Sequence, residues 1–321
     1  MSRILTGIQS TGTPHLGNIL GAIIPAIELS KKNNESFLFI ADLHSLTQIK
    51  DAKELKENTY STAATWLAFG LNPQKTIFYK QSDIPVTTEL AWILSSYFPY
   101  QRLTLAHSFK DKSNDLKNVN AALFTYPMLM AADILLYDAN YVPVGKDQIQ
   151  HLEITRNVAS KFNNLHGETL ILPEAIIDDN TKLIIGTDGQ KMSKSKNNII
   201  NIFLSDKQLK KQIMSIKTDS LAVESVKNPN TCNVFKLYSL IANDNQVKKI
   251  KEKYEKGGYG YGEAKNQLFE LILETYAKQR DTYYYLMDNK TEIDQILEEG
   301  SIRAKKIADE VIKRVKSKLG F

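Results

Sequence analysis

Through its first half the chain alternates short apolar runs with longer segments of helical spacing. Arg3 to Ile8 is brief and apolar-rich, and a Gly/Pro loop, Gln9 to Pro14, leads into a helical run over about Asn18 to Lys32. Ser36 to Ala41 (SFLFIA) has no polar alternation, the pattern of a strand covered on both faces. Ala52 to Phe69 puts Leu55, Thr59, Thr62, Ala63 and Trp66 on one helical face. Thr76 to Tyr79 and Tyr141 to Gly145 read as further short strands, and Asp147 to Phe162 as a helix after the second. Repeated strand–helix units predict an α/β fold, a doubly wound parallel sheet with helices on both faces.

The texture changes after residue 196. Ser205 and Gln208 have capping-box spacing ahead of the helix LKKQIMSI. Val234, Leu237, Tyr238 and Ile241 are helically spaced, and the loop GGYGYG (Gly257 to Gly262) precedes a helix over roughly Glu263 to Met287. The last helix carries Ala304, Ala308, Val311, Val315 and Leu319 in one stripe, with Lys305, Lys306, Lys313, Arg314 and Lys316 on its other faces. The expected division is an α/β domain over 1–195 and an all-helical, basic-faced domain over 196–321, its last helix able to return to the first domain.

Composition narrows the class. Of 321 residues, 42% are hydrophobic and 24% charged, which excludes a disordered, collagen-like or disulfide-scaffold chain. Cys232 is the single cysteine, so no intrachain disulfide forms, and its apolar setting suits a small core side chain. No apolar run is long enough for a bilayer and no secretory pattern opens the chain, so a cytoplasmic location without a membrane partner is expected. The formal net charge of +5 permits a nucleic-acid partner without requiring one.

Four segments could carry chemistry. In TGIQSTGTPHLGN, Thr6 to Asn18, three glycines let backbone approach a ligand and a helix N-terminus offers N–H groups to an anion, with His15 and Asn18 as side-chain donors. The plain alternative is a Gly-rich turn with a capping Asn. KMSKS, Lys191 to Ser195, puts two lysines three apart on a short loop that can close over a polyphosphate; otherwise it is a solvated basic loop. Tyr126 to Tyr137 (YPMLMAADILLY) is an apolar helix with one carboxylate, Asp133, costly to bury without a structural Arg, backbone N–H groups or a ligand donor as partner. Val142 to Arg156 places Gly145, Lys146, Asp147 and Gln148 at the ligand edge of the sheet, unless Asp147 is only a helix cap. His151 and Glu153 lack a third ligand at metal spacing, and His44 suits a polar wall or a satisfied core position, so no metal site is expected.

Together these residues resemble a class I aminoacyl-tRNA synthetase. HLGN (His15 to Asn18) is similar to the His-Ile-Gly-His element, and Lys191 to Ser195 matches the KMSKS element in full. The runs FIADLHSLT, TYPMLMAADILLYDANYVPVGKDQIQHLEITR, KGGYGYGEAK and EGSIRAKKIADEVI extend the resemblance to the bacterial tryptophanyl-tRNA synthetase family over nearly the whole chain.

The resemblance implies a Rossmann-like catalytic domain with a connecting insertion at about 72–130, and a helical anticodon-binding domain. Asp133 would accept the indole N–H, with Tyr126, Met130, His44, Leu5, Gln9, Val142, Val144 and Gln148 around the amino acid. Gln9, Ser10, Thr11, Gly17, Asn18, Gly145, Lys146, Asp147, Leu183 and the loop Lys191, Met192, Ser193, Lys194, Ser195 would meet ATP. His15, Asn18, Lys191 and Lys194, with Lys110 and Lys112, would act on the phosphates. Leu5 stands where Phe is frequent and Lys146 where Glu is frequent. The implied partners are L-tryptophan, ATP carrying Mg2+, tRNA(Trp) and a second copy of the chain, with no DNA. The alternatives are a tyrosyl-tRNA synthetase, a nucleotidyl transferase using an HxGH-type loop, and a catalytically idle RNA-binding relative.

Overall fold

The computed structural model describes residues 2–32, 35–104, 120–145, 148–177 and 184–321. The predicted site residues Lys110, Lys112, Lys146, Asp147 and Leu183 lie outside the described residues. Five parallel strands form the sheet: β1 (Arg3–Ile8), β2 (Glu35–Ile40), β3 (Ile77–Lys80), β4 (Tyr141–Pro143) and β5 (Glu174–Ile176), in the order β3-β2-β1-β4-β5. The β1–β2 register runs from Arg3 opposite Glu35 to Ile8 opposite Ile40. From β1 the chain winds one way to β2 and β3, then returns to place β4 and β5 on the other side of β1. The order reverses between β1 and β4, which opens a crevice at the carboxyl ends of these strands. Phe37, Leu38, Phe39 and Ile40 are all buried, because helices cover both faces of β2.

The helices of the first half are α1 (Leu16–Asn18), α2 (Ile24–Ser30), α3 (Asp42–Ser45), α4 (Ala52–Ala68), α5 (Val86–Ser95), α6 (Tyr100–Thr104), α7 (Ala121–Leu135) and α8 (Ile149–His166). A π-helical stretch, Ile19–Ile23, joins α1 to α2. Pro25 cannot donate to Gly21 and its ring would press on the Gly21 carbonyl; the widened turn absorbs both. The second half folds as α9 (Asp206–Met214), α10 (Asn233–Ile241), α11 (Asp244–Lys256), α12 (Tyr261–Thr275), α13 (Ala277–Asp288) and α14 (Lys290–Leu319).

Two apolar cores lie on the two faces of the sheet. One runs from Leu16, Ile19 and Ile23 through Leu38, Phe78 and Trp66, and continues unbroken into Leu209, Leu237, Leu268 and Leu297 of the helical half. The other holds Leu5, Phe37, Tyr79 and the inner faces of α5, α7 and α8, together with Ala304, Ala308, Val311 and Val315 of α14. Helix α14 therefore crosses from one core to the other. It passes β3 so closely that a Cβ on Gly300 would lie 1.7 Å from the Phe78 carbonyl oxygen, so only glycine fits there. Asp294 accepts from the Tyr60 hydroxyl at 2.9 Å, Arg303 donates to the Pro73 carbonyl, and Arg314 pairs with Asp138 and Lys316 with Glu89.

Several local expectations change. Ser205 caps α9 without bonding its backbone; its hydroxyl donates to the Gln208 side chain at 2.9 Å. The run 263–287 is two helices, broken at Tyr276, which is buried with its ring 5.8 Å from that of Phe69. No Gly or Pro announces that break; tertiary packing sets it. Helix α4 is buried all round from Thr59 to Trp66, because it sits between the sheet and α13. Strand β5 is three residues long, too short for a sequence period, and pairing with β4 creates it. Arg314 and Lys316, read as part of a basic outer face, are ion-paired within the chain.

Candidate active site

The turn after β1 is organised by His15, which is the N-cap of α1. Its Nδ1 accepts the Asn18 backbone N–H at 3.2 Å, and its own backbone N–H donates to Asn18 Oδ1 at 3.2 Å, a reciprocal capping box. Because Nδ1 accepts, the ring proton sits on Nε2. Burial, with Lys194 nearby, lowers the His15 pKa to about 4, so the ring is a neutral donor at physiological pH.

The expectation of unpaired N–H groups at this helix start is corrected. Leu16 N–H donates to the Ile200 carbonyl at 2.8 Å and Gly17 N–H to the Met192 sulfur at 3.2 Å, leaving Asn18 N–H for His15. The Met192 thioether is a weak acceptor, so the Gly17 N–H is the group most easily exchanged to an anionic oxygen.

The KMSKS loop lies against this turn. Lys194 Nζ donates to the Gly12 carbonyl at 2.8 Å, and its side chain occupies the space beside the Gly12 Cα, where φ of +133° already disfavours a side chain. Burial lowers the Lys194 pKa to about 8. Lys191 and Ser195 are exposed, and Ser193 Oγ is 2.8 Å from Ser195 Oγ.

Asn198, just past the motif, holds the loop's shape. Its Oδ1 accepts Ser193 N–H at 2.7 Å, and its Nδ2 donates to Asp188 at 2.7 Å and to the Lys191 carbonyl at 3.1 Å. Its backbone oxygen lies 2.3 Å from where a Cβ on Gly186 would be. Ile184 O accepts Met192 N–H, and Ile185 bridges to Lys191, which closes the hairpin.

Asp133, on α7, is 3% exposed and has the partners its burial requires. They are neither an Arg nor backbone N–H groups. His44 Nε2 is 2.8 Å from Oδ2, and Gln81 Nε2 donates at 2.7 Å to Oδ1 and 2.9 Å to Oδ2. Burial raises the Asp133 pKa, while the bonds from His44 and Gln81 oppose that rise. The Tyr126 ring meets His44 edge-on with centroids 6.2 Å apart, and its hydroxyl is 2.7 Å from His151 Nε2. Leu5 and Val142 are buried in the apolar core on one face of the sheet, with Met130 and Val144 partly buried against that core.

Thus the sequence-predicted residues gather in two groups at the carboxyl edge of the sheet. His15, Gly17, Asn18, Met192 and Lys194 form one, and His44, Tyr126 and Asp133 the other. Ser10, at the end of the β1 turn, is 3.2 Å from Ser45 Oγ, next to α3. Gln9 and Thr11 flank it, both half-buried. Gly145 and Gln148 stay at the β4–α8 junction, bonded backbone to backbone at 2.9 Å. Sequence reasoning missed Gln81 and Asn198. The polar Gln81 closing an apolar strand was the available signal for the first. Nothing in the sequence marked the second.

Comparison with known proteins places this arrangement. The sequence pattern of the tRNA synthetases class I (W and Y) matches residues 1–277. The tryptophan–tRNA ligase of Fusobacterium nucleatum is 47% identical over 322 residues, 100% of this chain and 98% of that protein. The tryptophan–tRNA ligase of Campylobacter jejuni (strain RM1221) is 45% identical over 319 residues, 99% of this chain and 100% of that protein. A crystal structure of tryptophanyl-tRNA synthetase from Campylobacter jejuni, complexed with ADP and tryptophan, superposes with a TM-score of 0.95 at 45% identity, covering 99% of this chain and 100% of that one.

Proposed function

The chain belongs to the class I tRNA synthetases that handle tryptophan and tyrosine, its activity is the ligation of tryptophan to tRNA, and we propose how its residues divide that work. The Asp133 group selects the amino acid, and the His15–Lys194 group binds and activates ATP. Asp133 accepts the indole N–H, with Tyr126, His44, Met130, Leu5, Val142 and Val144 enclosing the ring, and Gln9 and Gln148 toward its polar end. A site built around a buried acceptor rejects an analogue without the N–H by about 10⁴–10⁵-fold, because the acceptor is left unpaired.

In the first step the tryptophan carboxylate attacks the α-phosphorus of ATP in line. The bond to the bridging oxygen breaks, and pyrophosphate leaves. This step needs no protein nucleophile, only positioning and neutralised phosphate charge. His15 supplies its Nε2–H. Asn18, whose side-chain oxygen is spent on His15, supplies its NH2. Gly17 N–H exchanges the Met192 sulfur for a phosphate oxygen. Lys191 and Lys194 take the leaving-group side, together with Lys110 and Lys112. Ser10, Thr11, Gly145, Lys146, Asp147 and Leu183 complete the nucleotide contacts with Met192, Ser193 and Ser195.

Mg2+ carried by the ATP phosphates would neutralise part of their charge. The donors around the turn are neutral or cationic, which suits a polyphosphate whose own oxygens hold the ion. Among the described residues no group of three or more His, Cys, Asp or Glu side chains converges. In the second step the terminal adenosine of tRNA(Trp) attacks the adenylate carbonyl through its 2′-hydroxyl, and AMP leaves.

The helical half from residue 196 is the tRNA-binding part of this reading. Lys207, Lys210 and Lys211 on α9, and Lys305, Lys306 and Lys313 on α14, are exposed and suited to phosphate contacts that weaken with salt. Arg280 is not available for this: it is buried and donates to the carbonyls of Ile202 and Leu204. A homodimer belongs to the same reading. Trp92 on α5 and Tyr100 on α6 are 78% and 67% exposed, within the stretch read as the connecting insertion. The cytoplasm, which supplies ATP and tRNA, is the expected location; among the described residues no helix is long and apolar enough to cross a membrane.

One observation carries the division of labour: the buried acceptor Asp133 and the Gly12–Lys194 clasp share one edge of the sheet. Amino-acid-dependent exchange of pyrophosphate into ATP, run with each of the twenty amino acids, tests it. Exchange with tryptophan alone is expected. Exchange with tyrosine would overturn the amino-acid assignment, and no exchange from folded protein would overturn the catalytic roles.

A further inference from the structure

Gln81 closes β3 at the start of a short 3₁₀ turn and is 1% exposed. Its carboxamide is used at both ends. Oε1 accepts the backbone N–H groups of Leu43 at 3.1 Å and His44 at 3.3 Å. Those groups can only donate, so the amide has one orientation, and its NH2 must face Asp133. There Nε2 reaches both carboxylate oxygens, at 2.7 and 2.9 Å.

A carboxylate has about four acceptor directions. Among the described residues, Oδ2 receives His44 and Gln81, while Oδ1 receives Gln81 alone. The remaining direction is therefore on Oδ1. A neutral amide orients the carboxylate without cancelling its charge, which a lysine or arginine at the same place would do. We infer that Gln81 is a specificity-positioning residue: it aims Asp133 Oδ1 at the amino-acid substrate and keeps that carboxyl an acceptor, so selection for an N–H-bearing ring depends on it. This rests on the reading of Asp133 as the indole acceptor.

The electrostatic surroundings support the need for such a residue. Burial raises the Asp133 pKa, and the Asp42 carboxylate on α3 adds to the rise. The Tyr79 and Tyr137 phenols face it from β3 and the end of α7. His44 and Gln81 supply the opposing hydrogen bonds. Asp42 is itself occupied by Leu43 N–H, Ser82 N–H and the Ser82 hydroxyl, so it does not compete for the Gln81 amide. Removing the Gln81 donor raises the Asp133 pKa further, and the acceptor is then lost as pH falls.

The test is ATP–pyrophosphate exchange by the full chain, with tryptophan and with its benzothienyl analogue, in which sulfur replaces the ring N–H. The variants are Gln81→Met and Asp133→Ala. For Gln81→Met, kcat/KM for tryptophan should fall about 10- to 100-fold, through KM, as one hydrogen bond to a charged group is lost. The analogue and the KM for ATP should stay within about threefold of wild type. The tryptophan KM of the variant should rise as pH falls, and more steeply than that of wild type, because the amide donor that holds the carboxyl ionised is gone.

If Gln81→Met does not fold, Gln81→Glu takes its place, since it keeps the acceptor for Leu43 and His44 and removes the amide donor. Equal losses for tryptophan and the analogue would overturn the inference and leave Gln81 a packing residue. Tryptophan preference lost in Asp133→Ala but unchanged in Gln81→Met would overturn the inference alone. Preference intact in Asp133→Ala would overturn the reading beneath it.

Discussion

The two halves of the candidate active site are built in opposite ways. Around Asp133 every polar group is buried and held by side chains from separate elements: α3, the end of β3 and α7. Around His15 the contacts run between two loops, through a thioether, a backbone carbonyl and a lysine whose pKa burial lowers to about 8. The first arrangement suits selection, since a preorganised acceptor penalises any ligand that leaves it unpaired. The second suits a reaction with large charged products, since a thioether acceptor and a lysine on a loop are contacts that can exchange for phosphate oxygens.

Asp133→Ala tests the rigid half most severely. Tryptophan kcat/KM should fall by about 10³-fold or more, with KM for ATP unchanged, measured by pyrophosphate exchange. A matching loss in ATP binding would show that the two halves are not separate. Lys194→Ala tests the loop-built half: kcat should fall about 10²–10³-fold while tryptophan binding, followed by calorimetry, is kept. Asn198→Ala sharpens the contrast, because this residue touches no substrate in the reading above. It should lower kcat by about tenfold by loosening Lys191 and Ser193, with a smaller change in either KM.

The smallest effects are in pH. Lys194 acts as a cation, so kcat/KM for ATP should fall as pH rises through about 8, and Lys194→Arg should move that limb upward. His15 should show no titration in the rate near the ordinary imidazole value of 6.5, because its pKa is lowered to about 4. Between these values the unfolded chain binds the proton that the folded chain refuses, so stability falls as pH drops from 6.5 toward 4. Melting curves of His15→Gln should lack that part of the slope.

The α/β class, most helix positions and both candidate motifs were legible in the sequence, because they depend on local spacing: apolar periods, glycines at a turn and lysines on a loop. Strand β5 and the break at Tyr276 were not, since both exist only through packing against distant residues. The candidate site divides the same way. His15, Lys194 and Asp133 stood out as chemistry-bearing residues in motifs or in an unsuitable apolar setting.

What the linear chain could not state was what those groups are bonded to. Asp133 finds its donors in His44 and Gln81, 89 and 52 positions away. The Leu16 and Gly17 N–H groups of α1 are taken by residues beyond position 190. Sequence by itself determined most of the elements and which residue types reach the sheet edge, because propensity and periodicity act over a few residues. Only the tertiary structure decided which acceptors are already occupied, which lysine is half-buried and which amide bonds a buried carboxylate, because hydrogen bonds and burial are set by neighbours that the chain order keeps far apart.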